Sequence, residues 1–146
     1  MSTIGFIGSG NMAEALMRGI ISANLYAPRD VLISDIRKDR LDYLKEKYGV
    51  APTSGNVELT SQVDVLVLSV KPRNMDEVLD EIKGTLKDSA VVISIAAGIT
   101  IEKIAGHLGD VPIIRAMPNT PAMVGQGATA IVARNTSRRH LKVARE

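Results

Sequence analysis

Gly8, Gly10 and Ala13 form a G-x-G-x-x-A pattern directly after the short apolar run Thr3-Ile4-Gly5-Phe6-Ile7, and a helical pattern starts at once. Glycine at the first position permits a tight turn. Glycine at the second lets backbone approach a pyrophosphate, and a small third residue lets helix and strand pack closely. The unpaired N–H groups and the dipole of the following helix suit an anion there. The chemistry implied is the binding of a dinucleotide. Asp35 closes the run Val31-Leu32-Ile33-Ser34, about where a ribose-binding acid is expected, and this favours NAD. Arg37 and Lys38 follow, and cations there can pair with a 2′-phosphate, which favours NADP. In the alternative reading Asp35 and Asp39 complement the N-terminus of the next helix and the two cations are solvated.

Three further positions carry polar groups on expected loops. Lys71 precedes Pro72 at the end of an apolar run, either beside a nicotinamide or as a surface lysine. Asn119 and Thr120 stand between Pro118 and Pro121, which stiffen the loop. Asn119 can bond a carboxamide or close an Asx turn on itself. His107 reads as a surface or capping residue rather than a general base. His107 and His140 are isolated and cysteine is absent, so no metal-ligating cluster is expected.

The elements that would position these residues alternate. Ala13, Leu16, Met17, Ile20 and Ile21 follow a core-facing helical period. A second helix carries Leu41, Leu44 and Tyr48 and stops at Gly49. Residues 50–53 read as a brief strand, and 65–70 and 91–95 as buried parallel strands. Asn74 and Glu77 resemble a capping pair for a helix with Val78, Leu79, Ile82 and Leu86 on its apolar face. Thr100 reads as the cap of a helix with Ile101, Ile104 and Leu108, followed by strands at 111–117 and 128–133. Such alternation predicts an α/β fold with a doubly wound, mostly parallel, Rossmann-like sheet. Loops 8–12, 35–38, 69–72 and 95–98 would then meet at its carboxyl edge, with residues 117–120 closing the same edge.

The 146 residues are 45% hydrophobic and 23% charged, as for an ordinary globular domain. Residues 134–146 hold five of the 18 Lys and Arg and one of the 16 acids, so the remainder is slightly acidic. One phenylalanine and three tyrosines offer little for stacking on bases, and nucleic-acid binding is not expected. No membrane span and no signal peptide are indicated, and the absence of cysteine fits a cytoplasmic protein.

With these residues in place the chain resembles the pyrroline-5-carboxylate reductases. The matching stretches are GFIGSGNMAEAL (5–16), SVKP (69–72), SIAAGIT (94–100) and RAMPNTPAMVGQGATA (115–130). The resemblance implies reduction of the imine of 1-pyrroline-5-carboxylate to proline with NADPH or NADH, NADP being slightly favoured. It implies that Ile7, Gly8, Ser9, Gly10, Asn11 and Met12 hold the pyrophosphate, and that Asn56 lies on the adenosine side. Ser69, Val70, Lys71 and Pro72 would lie near the nicotinamide ribose. Ile95, Ala96 and Ala97 would line the same cleft, and Arg37 would meet a 2′-phosphate. Members of that family continue into a helical domain that mediates dimerisation and supplies most of the substrate pocket. Residues 1–133 are therefore expected to be the dinucleotide-binding domain and 134–146 a basic tail starting a helix toward such a domain. A homo-oligomer is expected of the full-length protein, no catalytic acid is assigned, and this chain alone is expected to be inactive. The alternatives are a non-catalytic dinucleotide-binding regulatory module, or a different reductase such as a β-hydroxyacid dehydrogenase or a deazaflavin-dependent NADP reductase.

Overall fold

A computed structural model describes residues 2–118 and 129–134. Four strands with nearly unbroken apolar sequence make the centre: β1 (Ile4–Ile7), β2 (Val31–Ser34), β4 (Val65–Leu68) and β5 (Val91–Ser94). The two-residue β3 (Ala51–Pro52) lies at one edge, with β6 (Ile113–Pro118) and β7 (Thr129–Arg134) toward the other. The order is β3-β2-β1-β4-β5-β6-β7. The first six strands run parallel and β7 pairs antiparallel with β6. Strand order reverses between β1 and β4, so the carboxyl ends of those two strands flank the switch point where α/β sheets bind ligands.

Alternation along each strand divides the core into two layers. Ile4, Phe6, Val31, Ile33, Val65 and Val67 pack with Ala13 and Met17 of α1 (Asn11–Ser22) and with Leu41 and Leu44 of α2 (Lys38–Tyr48). On the other face Ile7, Leu32, Leu66, Leu68 and Val92 meet α3 (Asn56–Thr60), α4 (Met75–Ile82) and α5 (Ile101–Leu108). Burial of β1, β2, β4 and nearly all of β5 on both faces explains why their sequences read as continuous apolar runs.

Helix ends follow from local chemistry, with one correction. Gly49 ends α2 in the left-handed conformation (φ 78°), its N–H donating to the Lys45 carbonyl. The Thr100 hydroxyl accepts from the Lys103 N–H and caps α5. Asn74 does not cap α4: its side chain makes no capping bond, because Pro72–Asn74 already forms a 3₁₀ turn that runs into the helix. Leu86 lies beyond α4 and still packs, partly buried, on the same core. α3, only five residues long, has no apolar period and was not foreseen. Strand β7 extends to Arg134, and the expected tail helix lies outside the described residues, as do Asn119 and Thr120.

Candidate functional site

The turn after β1 is fixed by its neighbours. Gly8 has φ +90°, and its N–H donates to the Ser34 carbonyl at 2.9 Å. A Cβ at Gly8 would lie 2.8 Å from the carbonyl carbon and oxygen of Ser69. The Ser69 hydroxyl in turn donates to the carbonyls of Ile7 (2.9 Å) and Gly8 (2.7 Å), tying β4 to the turn. Gly10 differs. Its backbone (φ −75°, ψ −168°) suits any residue, and a Cβ there would meet nothing within 4 Å. Gly10 is the N-cap of α1, and no side chain caps that helix. The N–H groups of exposed Asn11 and half-buried Met12, which a first turn leaves unpaired, thus adjoin the free space over Gly10 at the switch point. This cradle fits the pyrophosphate of a dinucleotide.

Between Gly8 and Gly10, Ser9 is fully buried. Its N–H and its hydroxyl both donate to Asp35 Oδ2 at 2.7 Å, and its carbonyl accepts from Arg40 Nε at 2.6 Å. Asp35 Oδ1 accepts from the Arg37 N–H at 2.9 Å. The Arg40 guanidinium also pairs with Glu14 at 2.6 Å, and the Tyr48 hydroxyl donates to the other Glu14 oxygen at 2.7 Å. Arg37 itself pairs with Asp39 in solvent, 3.0 Å apart.

Burial raises the pKa of both Glu14 and Asp35, but their donors outweigh it, so both carboxyls titrate below their ordinary values. For Glu14 the donors are Tyr48, Arg40 and Lys47, and for Asp35 they are the Arg37 and Ser9 groups. A depressed folded-state pKa contributes stability that is complete above the unfolded value and is lost as pH falls through the folded one. Melting temperature is thus expected to fall as pH drops below about 4.5, the ordinary value for Glu14. In Glu14→Gln that fall should be shallower, with part of the stability already missing at pH 7. Thermal melts of both proteins across acid pH check this.

Beside the turn, a cleft of about 320 Å³ is lined by Ser34, Asp35, Ile36 and Lys38 from the β2–α2 connection, and by Pro52, Thr53, Ser54 and Gly55 opposite. The Ile36 side chain, 99% exposed, stands at this cleft. Such a slot suits a flat heterocycle with a polar sugar. Asn56 adjoins it: its Oδ1 accepts from the Ser34 hydroxyl (2.6 Å) and its Nδ2 donates to Glu81 (2.7 Å). On the far side of the turn, Ser69 and Val70 are half-buried, Lys71 and Pro72 exposed. Ile95 is half-buried, Ala96 buried and Ala97 exposed.

The parallel register places the loops after β1, β2, β4 and β5, with Ile7–Met12, Asp35, Arg37, Ser69–Pro72 and Ile95–Ala97, at one sheet edge, and Asn56 opens α3 after β3. Asn119 lies outside the described residues. Arg40 and Glu14 were not foreseen, because 26 residues separate them and neither sits in a motif. His107 is not at this edge. It joins α5 to α4, its Nδ1 2.6 Å from Asp80 and its Nε2 3.2 Å from Asp76. Among the described residues no metal-binding cluster occurs, and no helix is long and apolar enough to cross a membrane.

Comparisons with known proteins agree with this geometry. Residues 3–98 match the family described as NADP oxidoreductase coenzyme F420-dependent. The pyrroline-5-carboxylate reductase of Synechocystis is 42% identical over 130 residues, covering 89% of this chain and 48% of the relative. A solved structure of a pyrroline-5-carboxylate reductase from Coxiella burnetii superposes with a TM-score of 0.92 at 40% identity, covering 98% of this chain and 54% of that one. The Plasmodium falciparum pyrroline carboxylate reductase, solved with NADP bound, gives 0.86 at 30% identity over 98% of this chain and 52% of that one. The chain spans about half the length of the curated relatives it matches. It belongs to the NADP oxidoreductase family described as coenzyme F420-dependent, and within it is similar to the pyrroline-5-carboxylate reductases.

Proposed function

We propose that this chain is the cofactor-binding portion of a pyrroline-5-carboxylate reductase, taking NADPH in preference to NADH. The observation that carries the reading is the open cradle over Gly10, at the uncapped start of α1 and at the switch point of the sheet. Gly10, Asn11 and Met12 offer backbone N–H groups to the pyrophosphate, with Ile7 and Gly8 shaping the turn beneath it. The adenosine occupies the cleft between Asp35–Lys38 and Thr53–Asn56. Ser69–Pro72 and Ile95–Ala97 border the nicotinamide half, and Asn119 bonds its carboxamide.

A nicotinamide held between Ser69–Pro72 and Ile95–Ala97 would supply the hydride for the imine carbon of 1-pyrroline-5-carboxylate, whose nitrogen is readily protonated in water. The chain's contribution is orientation, through the turn at one end and the β4 and β5 loops at the other. No residue of this chain is assigned as proton donor.

NADPH preference rests on Arg37 and Lys38. The Arg37–Asp39 pair is exposed on both sides, and such pairs are worth about 0–1 kcal/mol, so a 2′-phosphate can displace Asp39 at small cost. Arg37→Ala is expected to weaken NADPH by about tenfold, as loss of one charged hydrogen bond does, and to leave NADH unchanged. Titration of Arg37→Ala and the unsubstituted chain with both cofactors checks it.

The activity is tested by joining residues 1–134 to the C-terminal half of a relative. Oxidation of NADPH that depends on added 1-pyrroline-5-carboxylate is the expected result. Cofactor binding without turnover in every such chimera would favour a non-catalytic dinucleotide-binding module instead.

A further inference from the structure

Ser9 is held at all three of its polar groups, and the holders come from outside the turn. Two of its bonds go to one Asp35 oxygen and the third comes from Arg40. The Arg40 guanidinium is itself braced by Glu14, which belongs to the helix that the turn introduces, and Glu14 is braced by Tyr48. β2, α2 and α1 are thereby linked through one serine. A carboxylate has about four acceptor positions, and Asp35 already uses three, counting the Arg37 N–H. One position remains, too few to grip both hydroxyls of an adenosine ribose.

We infer that Asp35 and Arg40 are positioning residues: through Ser9 they hold the Gly8–Gly10 turn in its ligand-ready shape, and Asp35 does not choose between NADPH and NADH. The inference rests on the dinucleotide-binding reading above. Because the Ser9 N–H is committed to Asp35, the anion is left to the N–H groups of Gly10, Asn11 and Met12. The carbonyl of Ser9, turned to Arg40, leaves the Gly10 carbonyl to accept the first bond of α1, from the Glu14 N–H at 2.9 Å.

Asp35→Ala separates the two roles. Freed of its anchor, the turn samples shapes that do not bind, and affinity falls by the fraction of time spent in them. Both cofactors should then weaken together, by about tenfold, the effect expected for losing hydrogen bonds to a charged group. The NADPH-to-NADH ratio should stay within twofold. Ser9→Ala, which deletes one bond and no charge, should weaken both cofactors by a few-fold, and adding it to Asp35→Ala should cost little more.

Amide exchange of the cofactor-free chain gives a readout independent of binding. The Ser9 N–H should be protected in the unsubstituted protein and in Ser9→Ala at the same position, and should exchange at least tenfold faster in Asp35→Ala and faster in Arg40→Met. A change of tenfold or more in cofactor ratio in Asp35→Ala, or unaltered exchange at position 9 in that variant, overturns the inference. Failure of the unsubstituted chain to bind either cofactor would instead sink the dinucleotide-binding reading, and exchange at position 9 would still decide whether Asp35 holds the turn.

Discussion

Gly10→Val is expected to lower NADPH affinity by at least a hundredfold while leaving the melting temperature within about 3 °C of the original. The two halves of this expectation have separate causes. At φ −75° and ψ −168° the backbone of residue 10 is ordinary extended chain, and a side chain there meets no protein atom within 4 Å. With no steric conflict and no lost bond, the cost to the fold is only valine's poorer fit to the N-cap position, about 1 kcal/mol or less. The folded chain thus has no need of glycine at this place. The space matters only to what lies over the helix N-terminus, and an isopropyl group there blocks backbone from approaching a phosphate. Calorimetric titration and a thermal melt of the same sample measure both halves. Loss of binding with loss of fold would mean that Gly10 is a structural glycine after all.

Gly8→Ala should do the opposite, damaging the fold first. The positive φ of 90° is poorly suited to a residue with a side chain, and the added Cβ would lie 2.8 Å from the Ser69 carbonyl, which is backbone and cannot rotate away. Conformational strain of about 1–3 kcal/mol and overpacking of similar size combine to a loss of roughly 3 kcal/mol or more. For a chain of this length that lowers the melting temperature by roughly 10 °C. Far-ultraviolet circular dichroism against temperature checks it; an unshifted melt would show that the turn after β1 is not packed on β4 as described. The two glycines of one motif thus divide the work, the first serving the fold and the second serving the ligand.

Much of this was legible because parallel strands advertise themselves. Val65–Leu68 and Val91–Ser94 are buried on both faces, and only such strands need unbroken apolar sequence. The helices α1, α2, α4 and α5 were legible through the apolar period of the one face each buries, and the Gly49 stop through its left-handed conformation. Asn56 could be placed only through the family resemblance, since α3 is too short to show a period. Asn74 misled because its side chain suits a cap, whereas Pro72 had already begun a 3₁₀ turn through it. The position of Asp35 after β2 was legible, but its partner was not. A sequence does not reveal that a serine inside a glycine turn faces a carboxylate 26 residues later. The Arg40–Glu14 pair escaped notice for that reason too, being a product of how α2 packs beside α1 rather than of any local spacing.

Titration of the purified chain with NADPH, followed through the fluorescence of the nicotinamide itself, tests the central claim most directly; the chain contains no tryptophan to confuse the signal. Saturable binding at one site with a dissociation constant between micromolar and millimolar is predicted, accompanied by a rise in melting temperature as ligand binds only the folded state. No saturable signal and no thermal shift with either NADPH or NADH at millimolar concentration would contradict it.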